Sequence, residues 1–432
     1  MKRIYALTSS GGKTCYRDST EGVELLVPEG IEVASLSVVD EPEAPALEKL
    51  ISPALAQPLG SVPLAKLANG KKTAAIIVSD ATRAVATASI LPHLMAELAQ
   101  GGIEAEGVSL VVGLGVHRPA TPEEMREICG PLAGKVAIYN HDPHANLVEL
   151  GTTRGGTPVS VNRRVWEADI HLSIGKVETH EFAGYSGGRK SVLPGISSEA
   201  TIEYNHRPEM IANPLAVPGC LAGNPIHEDM LEAARLLRLD FTVNLVQNAK
   251  GEPLAVFAGE LEQSHAAAVD YYQKSYGVKI DPGVNIYLTT PGFPLNIDLY
   301  QSMKPFFGLY PVLKKGDVVI LYSGCGEGVN SSDMLEPFTH GPDLAAITDF
   351  LRENYRIQMD HSLLFCKLLQ KGVRVIGVSE KVAAADFSLM QMTPAGSLGE
   401  ALEIARDLKL ADGSPPRLGV VPMAQRLIIT GA

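Results

Sequence analysis

Residues 73–112, TAAIIVSDATRAVATASILPHLMAELAQGGIEAEGVSLVV, decide the fold of this protein. Two short apolar runs rich in β-branched residues, Thr73–Val78 and Val108–Val112, enclose Ser89–Gln100, whose apolar residues recur at helical spacing. This order predicts a strand, a helix and a second strand. A helix between two strands is typical of parallel pairing, because parallel neighbours need a long crossover.

The same alternation continues through most of the chain. Further strands are predicted at Val136–Tyr139, Asp169–Gly175, Phe241–Val246, Asn285–Thr289, Asp317–Tyr322 and Val373–Val378. Further helices are predicted after the capping signal Thr121-Pro122-Glu123-Glu124, and at Ile226–Leu237, Glu260–Lys274, Ile297–Lys304, Pro342–Glu353, His361–Leu369 and Leu398–Leu408. Strands that alternate with helices predict an α/β protein with mostly parallel sheets flanked by helices.

The length of the chain predicts two domains. Its 432 residues exceed the roughly 250–300 at which one hydrophobic core stops growing. The stretch Tyr276–Val284 has turn residues and little amphipathic character, so we place the boundary there. An N-terminal domain then spans residues 1–280 and a C-terminal domain residues 281–432. The closing apolar run Leu427–Thr430 is compatible with either domain.

Composition narrows the class of partner. The chain has 37 basic and 49 acidic side chains, a net charge of −12, and no block of Lys or Arg. This charge balance argues against nucleic acid or an anionic membrane surface as the main partner, because binding to either requires clustered positive charge. The sequence shows no signal peptide or membrane-spanning run, and its five cysteines form no CxxC pair. We therefore expect a cytoplasmic protein whose main partner is a small molecule.

Polar residues follow three predicted strands, where open α/β sheets bind their ligands. The first stretch is 79–83, in which Asp80, Thr82 and Arg83 supply a carboxylate, a hydroxyl and a guanidinium. Such a set suits a nucleotide or the carboxylate of a substrate, although a strand-end turn capped by an aspartate is the alternative. The second stretch, GLGVHRP at 113–119, places His117 between a glycine-rich turn and a capped helix.

The third stretch, GKVETHEFAGYSGGRKSVLPG at 175–195, is the most unusual. It is not a Walker motif, because Arg189 stands where that pattern requires glycine and Pro194 disfavours a following helix. The backbone amides of Gly187 and Gly188 could still cradle a phosphate. Like-charge repulsion from Arg189 should favour the neutral, nucleophilic form of Lys190.

Three histidines, His117, His180 and His206, stand beside glycine-rich or loop segments. They could bind zinc together and activate water, as in a hydrolase. Alternatively, two could act as acid and base while one binds a metal. On a predicted helix, Tyr300 and Gln301 lie four and three residues before Lys304, so each can share a face with the lysine. A lysine with an amide suits a carboxylate.

Taken together, these motifs resemble the lactate racemase family, enzymes that use a nickel-pincer nucleotide. The resemblance is carried by SDATR at 79–83, GVHRP at 115–119, THEFAGYSGGRKSVLPG at 179–195, NH at 205–206 and YQSMK at 300–304. It implies a two-domain α/β fold with the active site in the interdomain cleft. It also implies a racemase or epimerase that inverts the C2 carbon of a 2-hydroxy acid by reversible hydride transfer.

The resemblance assigns roles to matching positions of this chain. Lys190 would attach the cofactor covalently, His206 would bind nickel, and His117 and His180 would exchange protons with the substrate hydroxyl. The expected catalytic residues are His117, His180, Arg83 and Lys304; the other cofactor-binding residues are Asp80, Thr82, Gly187, Gly188, Arg189 and Ser191; and the substrate-binding residues are Arg83, Tyr300, Gln301 and Lys304. Cofactor maturation enzymes are implied as partners, and a host that lacks them is expected to yield apoprotein.

Departures from the family pattern bear on the substrate. Lactate racemases carry a tryptophan in the second domain that lines the substrate pocket, whereas the single tryptophan here is Trp166 and the corresponding stretch reads QMDH at 358–361. Glu181 stands where the lactate enzyme has an aromatic residue. These differences predict a 2-hydroxy acid other than plain lactate, such as a dicarboxylate, a sugar acid or a longer-chain acid. A tri-histidine zinc hydrolase and a non-catalytic binder of hydroxy acids or nucleotides remain the alternatives.

Overall fold

The structure is a computed structural model, and it describes residues 5–10, 13–18, 23–36 and 42–431. Its strands are β1 (Tyr5–Ser10), β2 (Lys13–Asp18), β3 (Val23–Leu26), β4 (Glu32–Leu36), β5 (Ala74–Ser79), β6 (Val108–Gly113), β7 (Ala137–Asn140), β8 (Leu147–Thr152), β9 (Pro158–Asn162), β10 (Ile170–Lys176), β11 (Thr179–His180), β12 (Gly184–Tyr185), β13 (Phe241–Gln247), β14 (Pro253–Gly259), β15 (Gly277–Ile280), β16 (Ile286–Thr289), β17 (Val318–Tyr322), β18 (Arg374–Val378), β19 (Thr393–Pro394), β20 (Arg417–Val420) and β21 (Ile428–Gly431).

Helices connect most of these strands. They are α1 (Glu48–Ala56), α2 (Leu64–Ala68), α3 (Thr87–Gln100), α4 (Pro122–Cys129), α5 (Arg163–Trp166), α6 (Glu199–Asn205), α7 (Pro208–Ala212), α8 (Pro225–Leu237), α9 (Leu261–Tyr276), α10 (Leu299–Ser302), α11 (Lys304–Leu309), α12 (Ser332–Leu335), α13 (Leu344–Asn354), α14 (Asp360–Gln370), α15 (Ala384–Leu389) and α16 (Leu398–Ala411). Within the described ranges, every helix is too short or too polar to cross a bilayer.

The chain forms two compact units, which confirms the predicted two-domain α/β fold. The central unit comprises Glu41–His206 and Gly219–Ser275. The terminal unit comprises Met1–Asp40, Arg207–Pro218 and Tyr276–Ala432. The division at residue 280 stays a prediction.

The central unit is built on a six-stranded sheet in the order β14-β13-β10-β5-β6-β7. All neighbours in it are parallel except β13 and β14. Ala74–Val78 of β5 is buried throughout, and α3 packs Ile90, Leu94 and Leu98 against the same core. A strand buried on both faces explains the continuous apolar run in the sequence, and burial of such side chains stabilises the fold by roughly 1.5–3 kcal/mol each.

The order of strands in the central sheet reverses at β5. From β5 the chain proceeds to β6 and β7 on one side, and then to β10 and β13 on the other. The carboxyl ends of β5 and β10 therefore flank a topological switch point, where sheets of this kind bind ligands. The three polar stretches singled out in the sequence follow β5, β6 and β10, which are adjacent strands.

The terminal unit has its own parallel sheet, in the order β19-β18-β17-β16-β20-β4. The closing apolar run forms β21, which pairs with β15 in the same unit. The helix predicted at Ile297–Lys304 is wrong in its bounds, because α10 ends at Ser302 and α11 begins at Lys304. Pro305 explains the break, since it has no amide hydrogen to donate to the preceding turn.

The capping signal after the His117 loop is confirmed. Thr121 Oγ1 accepts a hydrogen bond from the Glu124 amide at 3.2 Å, and Glu124 Oε2 accepts one from the Thr121 amide at 2.8 Å. This capping box satisfies two amides at the start of α4.

Removing the cap should destabilise the central unit. We expect Thr121→Ala to lower the free energy of unfolding by about 1 kcal/mol, because an amide of the first turn loses its partner. Thr121→Ser keeps the hydroxyl and should retain most of the stability. Urea denaturation followed by circular dichroism measures both, and equal midpoints for wild type and Thr121→Ala would contradict the role of the cap.

Candidate active site in the central unit

Asp80 and His117 form a carboxylate–imidazole pair at the carboxyl edge of the central sheet. Asp80 follows β5 and His117 lies in the turn after β6, so parallel pairing of these strands brings them together. His117 Nδ1 lies 2.7 Å from Asp80 Oδ2; the aspartate side chain is 7% exposed and the imidazole 42%. The carboxylate accepts the Nδ1 proton, which leaves the Nε2 lone pair able to take a proton from a ligand.

The turn that carries Arg83 lies beside this pair. Residues Ala81–Arg83 form one turn of 3-10 helix, and the Arg83 side chain is exposed. Gln247, at the end of β13, donates from Nε2 to the Ala84 carbonyl at 3.2 Å and so supports the turn. The side chain of Thr82 lies outside the described part of the structure, so its predicted role in cofactor binding stays a prediction.

Three predicted site residues, two of them from the third stretch, gather around one aromatic ring. Phe182, which is 2% exposed, contacts His180 edge-on at a centroid distance of 4.7 Å and His206 at 5.0 Å. The Lys190 Nζ lies 6.0 Å from the centroid of the same ring. The sequence singled out the three polar residues separately, and Phe182 is the residue that unites them.

His206 has the properties of a neutral metal ligand. It caps the end of α6, is 6% exposed, and its Nδ1 lies 3.0 Å from the Ile202 carbonyl. That carbonyl accepts the Nδ1 proton and leaves the Nε2 lone pair available. Burial lowers the pKa of His206 to about 3, and the positive charge of Lys190 acts in the same direction. A neutral imidazole with its other nitrogen fixed by a carbonyl is the form that binds metals.

A buried carboxylate fixes the helix end that precedes His206. Asn205, which is fully buried, donates from Nδ2 to Asp229 Oδ2 at 2.7 Å. Asp229, which is 3% exposed, also accepts hydrogen bonds from the hydroxyls of Thr153 and Thr157. Sequence reasoning missed this network, because its four residues come from three separate segments of the chain and meet only in the folded protein.

The Gly187–Gly188 turn is more closely packed than its sequence suggested. Gly187 has a φ of +83°, and an added Cβ would lie 2.6 Å from Val177 Cγ2, so the position requires glycine. The Gly188 amide, expected to face a phosphate, donates instead to Asn244 Oδ1 at 2.9 Å, and both residues are buried. This amide is therefore engaged within the protein. The cofactor-binding roles of the two glycines stay predictions.

Arg189 has a different setting from the one that the sequence suggested. Its side chain is 1% exposed, and its Nη2 donates to the carbonyls of Ala183 at 3.0 Å and Tyr185 at 2.9 Å. Burial lowers the pKa of Arg189 to about 9. Ser191 is half-buried at the end of the same turn. The predicted binding roles of Arg189 and Ser191 are untested by these contacts.

The three histidines do not form a zinc site. His117 pairs with Asp80, whereas His180 and His206 both pack against Phe182. Among the residues that the structure describes, no group of three His, Cys, Asp or Glu side chains could hold a metal. The tri-histidine hydrolase hypothesis is therefore wrong for this arrangement.

The residues expected to bind substrate in the second domain lie in the terminal unit. Tyr300 stacks on His361 at a centroid distance of 3.9 Å, and its hydroxyl donates to Asp360 Oδ1 at 3.1 Å. The backbone carbonyl of Tyr300 accepts from His361 Nδ1 at 2.8 Å. Gln301, on α10, and Lys304, the first residue of α11, are both half-buried. Asp360 and His361 therefore hold Tyr300 in place.

Comparison with known proteins identifies the family of this chain. The model of the lactate racemase N-terminal domain matches residues 19–219, and that of the lactate racemase C-terminal domain matches residues 280–428. A lactate racemase from Thermoanaerobacterium thermosaccharolyticum is 32% identical over 388 residues, which cover 88% of this chain and 90% of the relative. The chain belongs to the lactate racemase family.

Two further comparisons agree with this assignment, and a third shows the fold alone. The lactate racemase of Lactiplantibacillus plantarum is 32% identical over 401 residues, covering 88% of this chain and 91% of the relative. The structure of the lactate racemase apoprotein from T. thermosaccharolyticum superimposes with a TM-score of 0.87 at 30% identity, covering 99% of this chain and 100% of the other. A Thermotoga maritima protein shares the fold, with a TM-score of 0.64 at 17% identity over 85% of this chain and 96% of the other. Family membership supports an enzyme of the racemase class.

The lowered pKa of the half-buried His227 predicts acid sensitivity of the central unit. Burial, with the positive charges of Arg189 and Arg235, lowers the pKa of His227 to about 3. An unfolded histidine takes up a proton below about pH 6.5. Between these values the unfolded state binds more protons than the folded state, so stability decreases as the pH falls through this window.

Replacing His227 should flatten that dependence. We expect His227→Gln to reduce the loss of unfolding free energy below about pH 6.5 by up to about 1.4 kcal/mol per pH unit. His144→Gln is the matched control, because the side chain of His144 is 68% exposed. Urea denaturation from about pH 7.5 to about pH 5 measures the slopes. Identical slopes for His227→Gln and wild type would contradict a His227 that stays neutral in the folded state.

Proposed function

We propose that the protein inverts the C2 carbon of a 2-hydroxy acid, with a nickel-pincer nucleotide attached to Lys190. Membership of the lactate racemase family supports a racemase. The observation that carries the proposal is the grouping of Lys190, His180 and His206 around the Phe182 ring. An amine for attachment, an imidazole for proton exchange and an imidazole for metal binding thereby adjoin one apolar side chain.

The residues present fit such a cofactor. Lys190 offers a primary amine for covalent attachment, and His206 offers a neutral imidazole whose Nδ1 is held by the Ile202 carbonyl. When bound, the nucleotide would supply a nickel centre and an acceptor for the α-hydrogen of the substrate, which would leave as hydride. Enzymes that assemble this cofactor would be obligatory partners, and we place the protein with them in the cytoplasm.

His117 and His180 would move the hydroxyl proton. Loss of the α-hydrogen as hydride requires that the hydroxyl proton leave as well, because the product is a 2-oxo acid. His117 is suited to accept this proton at Nε2, because Asp80 Oδ2, 2.7 Å from His117 Nδ1, accepts the proton on that nitrogen. Inversion needs a base for each enantiomer, and His180 would serve the second.

Substrate binding would use cationic and polar groups. The exposed guanidinium of Arg83 can hold a carboxylate in two-pronged geometry, and Lys304 can add a second positive charge. Tyr300, fixed by Asp360 and His361, and Gln301 would contact the remainder of the substrate. We further propose that the substrate is a 2-hydroxy acid other than plain lactate, because polar side chains occupy the stretch where the family's lactate enzymes carry tryptophan.

Attachment to Lys190 is tested by mass. We expect intact mass spectrometry of protein co-expressed with the maturation enzymes to show a nucleotide-sized adduct, located on the peptide that contains Lys190. Lys190→Ala should abolish both adduct and racemisation, because the amine that forms the bond is gone. Lys176→Ala, in the same stretch, should keep both. Racemisation retained by Lys190→Ala would refute covalent attachment there.

The role of the Asp80–His117 pair is tested by kinetics. We expect His117→Gln and His180→Gln each to lower kcat by about 100-fold or more, because each removes one proton acceptor. Asp80→Asn should lower kcat by about ten-fold with little change in KM, because the amide holds the imidazole less well. Glu123→Gln, on the exposed face of α4, is the control. Unchanged kcat in Asp80→Asn would remove Asp80 from the mechanism.

A further inference from the structure

The buried side chain of Arg189 binds its own loop. Its hydrogen bonds reach the carbonyls of Ala183 at 3.0 Å and Tyr185 at 2.9 Å, and its Nη1 lies 2.8 Å from His265 Nε2. None of these three partners carries a negative charge. Burying a cation without a carboxylate partner costs free energy of folding. Arg189 is nevertheless 1% exposed, which indicates that its buried hydrogen bonds have a specific structural role.

His265 connects this loop to helix α9. It is 4% exposed, and its ring packs over Gly188, where an added Cβ would lie 3.4 Å from His265 Cδ2. Its Nε2 lies 2.8 Å from Arg189 Nη1 and also 2.8 Å from the Ser186 carbonyl. If Nε2 carries a lone pair, it accepts a hydrogen bond from Arg189 Nη1; if Nε2 carries the proton, it donates to the Ser186 carbonyl. Either hydrogen bond connects the loop to α9. Burial and the charge of Arg189 lower the pKa of His265 well below its usual range, which keeps the ring neutral.

The backbone passes directly from this anchor to Lys190. The Lys190 amide donates to the Gly187 carbonyl at 3.1 Å, and the Lys190 carbonyl accepts from the Gly195 amide at 3.1 Å. At the other end of the loop, Ala183 directly follows Phe182, the ring that contacts His180 and His206. The anchor therefore constrains both the lysine and the aromatic residue beside it.

We infer that Arg189 and His265 are positioning residues, which fix the loop 183–188 on α9 and thereby set the place of the Lys190 amine. The inference rests on the proposed function insofar as Lys190 is the attachment point for the cofactor. It gives Arg189 a role through its interior contacts and adds His265, which no motif in the sequence indicated.

Hydrogen exchange of the apoprotein tests the anchor without the cofactor. We expect Arg189→Met and His265→Phe to raise amide exchange in residues 186–190 by about ten-fold, because the loop loses contacts that close it. His265→Gln should stay close to wild type, since an amide can accept from Arg189 and donate to Ser186. His171→Phe, which alters another buried histidine of the same unit, should leave exchange in this loop unchanged. Wild-type exchange in both Arg189→Met and His265→Phe would overturn the inference.

Cofactor loading then tests the link to Lys190. With the maturation enzymes co-expressed, the adduct fraction should fall at least about five-fold in His265→Phe and recover in His265→Gln, because only a closed loop presents the amine. Full loading of His265→Phe despite raised exchange would refute positioning of Lys190. Absence of the adduct in wild type would refute the proposed function, while the exchange data would still decide whether the anchor exists. If Arg189→Met does not fold, His265→Phe, which retains the arginine, decides both whether the anchor exists and whether it positions Lys190.

Discussion

Parallel pairing of β5 with β6 on one side and β10 on the other is the constraint on which the candidate site depends. Each strand ends at the same edge of the sheet, so three loops far apart in sequence begin side by side. The Asp80–His117 pair is a direct product of this pairing, because its members follow neighbouring strands. The loop after β10 carries His180 and Lys190, and His206 follows at the end of α6. The sheet therefore determines which side chains can cooperate.

The environments of the histidines divide their chemistry. His117 is 42% exposed and held by a carboxylate, which suits exchange of a proton with a ligand. His206 is buried, held by a carbonyl and has its pKa lowered to about 3, which suits binding of a metal. One residue type thus supports two functions, because burial and the hydrogen-bond partner differ. Burial and the hydrogen-bond partner likewise explain why His265, which is buried against Arg189, has a structural role.

The sequence predicted most strands of the central sheet well, missed its edge strand β14, and predicted the interior contacts poorly. Apolar runs marked β5, β6, β10 and β13 to within one or two residues, because strands buried on both faces must be continuously apolar. The resemblance to lactate racemases also predicted the family correctly. By contrast, β8 has half-buried and exposed residues without a strong pattern, and the short hairpin that it forms with β9 was not predicted. Helix bounds around Ser302 were wrong, because Pro305 breaks the turn locally.

Long-range polar contacts were beyond sequence reasoning for a physical reason. The Asp229 network joins three segments, and the Arg189–His265 bond joins residues 76 positions apart. No local propensity encodes such pairs, since they form only when tertiary packing removes water from both partners. The correction at Gly188 has the same origin, because Asn244 reaches its amide from a neighbouring strand.

The measurement that tests the central claim most directly is metal analysis combined with peptide mapping of protein matured together with the cofactor enzymes. The account predicts about one nickel per chain and a nucleotide adduct on Lys190, with nickel lost in His206→Ala while the adduct remains. A chain without an adduct, or nickel content unchanged in His206→Ala, would contradict the assignment of these two residues to the cofactor.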